Sequence, residues 1–487
     1  MSEFPKGWAD AELGDLLNIQ SGFAFKSSEY KDEGHFLIRI GNVQDGEISL
    51  AKPKYVKLNE QTKHFELLAG DILTSLTGNI GRVARIEQQH LPAALNQRVA
   101  RLTPADKLDD DGYLFCFLSS PLFREALAAL GKGGAQQNVS PKTISDIAIP
   151  LPPLPEQRRI VRKLDTLSAR TTTARSDLKA IPDLVERYKL NFLRSAFRGE
   201  QTAQFRQESE LETVSQLLGR TEAPQQGRGG RKPTDEVIPG KGGLSVNHPG
   251  TELPIGWDWV PLLRVSRQET GHTPSRSHPE WWDGDVRWIS IPDANTHHGR
   301  VIYDTIQKTN EDGLKNSSAR LLPKGTVVLS RTASVGYVTI MGCEMATSQD
   351  FATWTCSDAL DPKYLMYALL SEGDDIRNFG EGTTHTTIYF PEVRAFNIKL
   401  APLAEQREIV HRIETAFTKI DRLAAEAEKA LKLTDRLDQR ILAKAFVGGL
   451  VPQDPTDEPA TELLARIRKA RATAPKPKRG RRKKAEA

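Results

Sequence analysis

Two stretches of the chain carry apolar residues at alternating steps of four and three. The first runs through Ile160, Leu164, Leu167, Thr171, Ala174, Leu178, Ile181, Val185, Tyr188 and Phe192. The second runs through Ile409, Ile413, Ala416, Ile420, Leu423, Ala427, Ala430, Thr434, Leu437 and Ile441. Such a stripe is the seam of a coiled coil, and its alanines let helices approach closely. At about 1.5 Å per residue, each stretch predicts a rod of roughly 60–70 Å. Pro182 stands where the second stretch has Leu431 and predicts a kink or break near Lys179. Elsewhere the apolar runs shorten. Residues 36–40, 71–75 and 82–86 read as strands beside a helix at 113–130, and 286–291, 326–329 and 337–340 as strands beside a helix at 362–370.

This plan is written twice. Leu151, Pro153, Leu154, Glu156, Gln157, Arg158, Ile160 and Val161 return as Leu400, Pro402, Leu403, Glu405, Gln406, Arg407, Ile409 and Val410, an offset of 249 residues. Pro5, Gly7 and Trp8 return as Pro254, Gly256 and Trp257 in the same register. The expected fold is therefore α+β, with two globular domains separated by two long antiparallel helical regions in a pseudo-twofold tandem. The expected divisions are a globular domain at 1–150, helices at 151–222, a flexible Gly/Pro/Gln/Arg-rich linker at 223–250, a second globular domain at 251–399, helices at 400–470 and a basic disordered tail at 471–487.

Composition narrows the classes. With 487 residues, 38% hydrophobic and 27% charged, the chain reads as a multi-domain soluble protein. No apolar run approaches the roughly 18–20 residues of a membrane span, and no signal-like start is present, so a cytoplasmic protein is expected. Three cysteines without a C-x-x-C pair argue against a disulfide framework or thiolate zinc site. Eleven basic residues from Arg466 onward face Glu486 alone, a tail of +10; against +4 for the whole chain, this leaves −6 elsewhere. Nucleic-acid binding by the body must then use local patches.

No catalytic residues and no metal ligands stand out. Gly227 to Thr234 resembles a phosphate loop only in composition, because Pro233 follows Lys232. Asp361-Pro362-Lys363-Tyr364 reads as a helix start, and the adjacent His297 and His298 are a poor geometry for one metal. More informative are polar, Gly-bearing loops present in both halves. Thr77-Gly78-Asn79-Ile80-Gly81-Arg82 matches a loop at 331–336, Asn96-Gln97-Arg98 matches Ser348-Gln349-Asp350, and residues 132–138 match 381–387. Glycine lets backbone approach a partner, and Asn, Gln, Arg and Thr can contact phosphate or base edges. Taken alone, a structural hairpin explains these loops equally well.

Gly271-His272-Thr273-Pro274-Ser275, then Trp281-Trp282-Asp283-Gly284-Asp285-Val286-Arg287-Trp288-Ile289, then Leu322-Pro323-Lys324-Gly325-Thr326, then Pro402-Leu403-Ala404-Glu405-Gln406 resemble the specificity subunit of type I restriction-modification enzymes. The resemblance spans nearly the whole chain, and the paired Pro-Leu-x-Glu-Gln helix starts are its most specific part. It implies a non-catalytic reader of a bipartite, asymmetric target in double-stranded DNA. The partners it implies are two modification subunits, which hold S-adenosylmethionine and methylate adenine, and restriction subunits that use ATP and Mg; this chain itself would hold no cofactor. Under that reading the DNA-contact candidates are Lys26, Arg39, Asn42, Thr77, Asn79, Arg82, Gln97, Arg98, Gln136 and Asn138 in the first domain. In the second they are Arg276, Arg287, Asn295, Arg331, Ser334, Gln349, Thr384 and His385. Glu156, Gln157, Arg158, Glu405, Gln406 and Arg407 are candidates for the outward-facing surface that meets other subunits. The competing classes are a coiled-coil scaffold without DNA specificity and a self-sufficient methyltransferase or nuclease.

Overall fold

The computed structural model describes residues 4–105, 111–130, 139–227, 231–332, 334–381 and 386–473. The chain divides into two compact units, one of residues 1–178 with 429–487 and one of residues 179–428. Each unit combines one globular domain with parts of both long helices, Leu154–Ala196 and Leu403–Phe446.

In the first unit, Val99–Pro104 is flanked antiparallel by Leu17–Ser21 and Ile72–Ser75, and Val83–Arg85 completes that sheet. A second sheet sets Ala93–Leu95 between His35–Ile38 and Glu66–Leu67. Alternation along the strands divides their burial. Leu73, Ala84 and Val99 pack with Phe36, Ile38 and Leu67, while Ile72, Val83 and Leu102 point into a larger core with Tyr113, Phe117, Ile160 and Phe446. The helix expected at 113–130 is two, Gly112–Leu118 and Pro121–Leu130, because Pro121 opens a new first turn rather than continuing the old one. Strand Ala9–Glu12 pairs with Ala148–Leu151 and ties the domain's start to its end. Helix Ala460–Thr473 buries Leu463, Leu464 and Ile467 against the same core, and Arg468 reaches Asp15 at 2.6 Å.

In the second unit, Ser266–Thr270, Phe351–Cys356, Val327–Ser330, Val338–Met341 and Arg300–Ile302 form a sheet in that order. A smaller sheet places Trp282–Ile289 between Gln307–Thr309 and Ala346–Thr347. Trp354, Tyr364, Phe379 and Phe396 fill the core against Ile409 and Ile413 of the second long helix.

Within the stretch expected as a linker, residues 238–246 are not free. Ile238–Pro239 and Leu244–Val246 add two strands beside Phe396–Leu400, and the buried Glu372 carboxylate accepts the N–H groups of Lys241, Gly242 and Leu244. Gly242 and Gly243 lie where a Cβ would strike Ser371 and Phe197, so the glycine-rich composition that reads as flexibility serves close packing. The helical region expected at 151–222 ends as one rod at Ala196; short helices Ala203–Glu208 and Val214–Arg220 follow. Of the predicted tail, Arg471–Thr473 close the last helix, and residues 474–487 lie outside the described residues.

The long helices run antiparallel within each unit. Arg175 pairs with Asp435 and Asp438 in the first, Lys189 with Asp421 in the second. The break expected at Pro182 does not occur, since the helix is continuous through it. Pro182 is exposed and removes one N–H bond, a cost of about 3 kcal/mol. The seam closes less completely than its spacing predicts. Ile160, Ile409 and Ile413 are fully buried, but Ala174, Tyr188, Leu423 and Leu437 are exposed, Leu423 to 61%. Within the second unit the helix segments leave an apolar groove of about 1030 Å³ bounded by Ile181, Val185, Tyr188, Ile420 and Leu423.

Candidate nucleic-acid interface

Each domain gathers four segments at one junction, bonded alike in both. In the first domain the hairpin after strand Ile72–Ser75 is closed by Ser75, whose hydroxyl donates to the Asn79 carbonyl and accepts the Arg82 N–H at 3.2 Å. In the second, Ser330 donates to the Ser334 carbonyl and accepts the Tyr337 N–H at 2.8 Å. The N–H of Leu76 reaches the Arg98 carbonyl at 3.0 Å, as that of Arg331 reaches Asp350 at 2.8 Å. Val139 donates to the Leu76 carbonyl as Ile388 donates to that of Arg331, both at 2.9 Å. Finally Phe23 bonds the Leu95 carbonyl at 3.0 Å and His272 that of Thr347 at 2.9 Å. The preceding residues, Gly22 and Gly271, must be glycine because a Cβ would collide with the Asn96 and Thr347 carbonyls.

The scaffold is shared and the side chains on it differ. Bonding equates Leu76 with Arg331, Thr77 with Thr332, Asn79 with Ser334, Arg82 with Tyr337 and Arg98 with Asp350. The hairpin register is thus one residue away from a match that aligns Thr77 with Arg331. Where the first domain offers the exposed Arg98, the second has Asp350, which accepts from Thr332 and Ser348 at 2.8 and 2.9 Å. Arg331 is half-buried, donates to the Gln349 carbonyl at 3.0 Å and lies 4.2 Å from the centre of the Phe390 ring. Burial pushes its guanidinium below the ordinary arginine value, opposed by Asp350.

Of the candidates, Thr77, Asn79, Arg82, Gln97 and Arg98 converge in the first domain, and Arg331, Ser334 and Gln349 in the second. Arg82 is already committed to Gln44 Oε1. Asn42 is a correction: it is 2% exposed and donates to the Ser49 and Ala51 carbonyls, holding a turn that Arg39 closes by bonding Lys52. Lys26 is exposed on a short 3-10 turn just past Gly22. Arg276 stacks 3.7 Å from the centre of the Trp282 ring and donates to Gln307, and Trp288 beneath it donates to the His272 carbonyl. Arg287 is paired with Asp304, and the exposed Asn295 sits on helix Ile291–Thr296, apart from the junction. Gln136, Asn138, Thr384 and His385 lie outside the described residues. Sequence reading missed Thr273, whose hydroxyl bonds Gln349 Oε1 at 2.6 Å. Its place beside the quoted Gly271 was the available signal.

The outward-facing set needs the larger correction. Glu156 is 1% exposed and Glu405 0%, and Gln157 and Gln406 are buried with them. Glu156 accepts the Trp8 indole N–H at 3.1 Å, and Glu405 that of Trp257 at 2.8 Å. Gln157 and Gln406 each donate to a carbonyl five residues back, Pro152 and Ala401. The repeated Glu-Gln therefore locks each domain's opening tryptophan onto its helix; a pair of polar residues at a helix start reads as surface only until the tryptophan covers it. Arg158 and Arg407 alone of the six are exposed.

Among the described residues no helix is long and apolar enough to cross a membrane, and no three His, Cys, Asp or Glu side chains are grouped to hold a metal. Residues 5–181 and 254–432 each match the model of the type I restriction modification DNA specificity domain. The chain is 25% identical to the type I restriction enzyme EcoKI specificity subunit of Escherichia coli strain K12, over 99% of both chains. It is likewise 25% identical to the StySPI specificity subunit of Salmonella potsdam, over 99% of each. The fold superposes on the HsdS subunit from Thermoanaerobacter tengcongensis with a TM-score of 0.56 at 19% identity, covering 92% of this chain and 98% of that one. Two copies of the family's domain, together spanning most of the chain and each carrying the same loop junction, make this protein a member of the type I restriction-modification DNA specificity family.

Proposed function

We propose that this chain is the DNA-reading subunit of a type I restriction-modification complex and performs no chemistry itself. The observation that carries the reading is the junction built identically twice and furnished differently, with Arg98 against Asp350 and Leu76 against Arg331. One scaffold bearing two side-chain sets suits two unlike half-sites, hence a bipartite and asymmetric target. Specificity arises from base edges and from DNA deformation, while phosphate contacts fix register.

The partners are those that similarity to type I restriction enzyme specificity subunits implies. Adenine methylation needs S-adenosylmethionine and cleavage needs ATP with Mg, so two modification subunits and restriction subunits would supply these, in the cytoplasm where the DNA lies. The helical pair is their docking surface: the groove at Ile420 and Leu423 and the exposed Arg158 and Arg407 present apolar and charged surface outside the DNA-reading loops. The test is methyl transfer from labelled S-adenosylmethionine. The chain alone should transfer nothing, and addition of the modification subunits should label adenine only in target-bearing duplex. Transfer by the chain alone would favour the self-sufficient methyltransferase, and labelling indifferent to sequence would favour the scaffold.

A further inference from the structure

Beside the junction of the second domain, a cleft of about 440 Å³ opens between Gly271 and the short helix Phe390–Arg394. Four arginines line it, Arg231, Arg320, Arg331 and Arg394, against the single carboxylate of Glu269. Glu269 is already engaged by Arg267 at 3.1 Å and Arg320 at 2.9 Å. Arg331 is held by carbonyls and by the Phe390 ring. Arg331 Nε is also buried without an acceptor, but unlike Arg331, Arg394 has no carbonyl or ring among the described residues holding its guanidinium. It is half-buried, its Nε is buried without an acceptor, and among the described residues no carboxylate pairs with it, Glu392 on the same helix included.

A partly desolvated guanidinium with no counter-charge is costly, and an anion entering the cleft would relieve it. We propose that this cleft seats a backbone phosphate of the bound DNA, gripped by Arg394 with Arg231 and Arg320; the proposal rests on the reading of the chain as a DNA specificity subunit. Phosphate fits the chemistry better than a base edge does. The lining carries four arginines against one carboxylate, and a guanidinium takes two phosphate oxygens in parallel. Among the described residues of the first domain the Arg394 guanidinium has no counterpart on the matching helix. The helix matching Phe390–Arg394 at the 249-residue offset is Pro141–Ser145, and Ser145, in the place of Arg394, donates to the Pro141 carbonyl at 3.0 Å. The Arg394 grip therefore belongs to the second half-site.

The experiment uses the full chain assembled with its modification subunits, titrated with a duplex carrying the methylated target and with one in which both half-sites are scrambled. R394A should weaken both duplexes alike, roughly three- to tenfold near ~0.1 M salt, and flatten the slope of log K against log salt by about 0.9. R394K should restore most of the slope, and the methylated motif should not change. Loss confined to the target duplex, or a changed base in the second half-site, would mean that Arg394 reads sequence and would overturn the proposal. So would an unchanged slope. If R394A lowers the melting temperature, R231A and R320A, both exposed, carry the same test with the same expected slope change. A wild-type complex that does not distinguish the duplexes would count against the DNA-reading role itself rather than the anchor.

Discussion

At the scale of single residues, the proposed function assigns reading to one arginine and both reading and support to another. Arg98 is exposed at the junction, and its side chain has no partner among the described residues, so it is free to meet a base. R98A should weaken target binding by about 1–3 kcal/mol and relax the first half-site alone, as read by competition with single-base target variants. R82A also removes the link to Gln44, so a lowered melting temperature should accompany its binding loss. Glu405 is the contrasting case, because it serves the fold. Its carboxylate accepts from Trp257, Thr202 and Arg206 at 2.8, 2.7 and 2.8 Å with no exposure. E405A removes the counter-charge of the part-buried Arg206 and the acceptor of the buried Trp257 and Thr202, and should cost about 3 kcal/mol in denaturant unfolding. The Glu-Gln repeat was therefore legible as important but not as buried. Its covering tryptophans, Trp8 and Trp257, sit 148 residues upstream of Glu156 and Glu405, and no local pattern announces such a contact.

At the scale of elements, the periodic signals were the readable ones. Both long helices, the strands near residues 36–40, 71–75, 326–329 and 337–340, and the helix near 362–370 follow from period and capping alone; Asp361 caps Pro362–Glu372 by accepting from Lys363 and Tyr364. What failed was composition read without contacts, as in the glycine-rich stretch that docks on Glu372. The heptad pattern likewise promised a closed seam, where the exposed Leu423 instead borders an open groove. L423D should then change stability by no more than about 0.5 kcal/mol while abolishing co-purification with the modification subunits. I413D, in the buried part of the same helix, should unfold the second unit. The C-terminal helix offers a pH test. Arg468 holds Asp15 below its ordinary carboxylate value, so the stabilisation is present above the unfolded value near 3.8 and is lost as pH falls through the depressed folded value. The pair is partly exposed and worth about 0.2–1 kcal/mol, and R468A should remove that acid-side dependence of hydrogen-exchange protection in Ala460–Thr473.

At the scale of the molecule, the proposed function makes each domain a separate reader, and the strand pairing decides where one can be exchanged. Leu244–Val246 pairs with Phe396–Leu400, so a transplant of residues 251–399 would leave a strand behind; residues 231–400 keep the paired strands together. Mapping of methylated adenines across the DNA of cells expressing the chain with its modification subunits, before and after that segment is exchanged for a relative's, tests the two-reader claim most directly. The account predicts one bipartite motif with two unlike halves and a fixed unspecified spacer, of which only the second half changes on exchange. A single continuous motif, or a chimera that assembles and still methylates the original sequence, would contradict it.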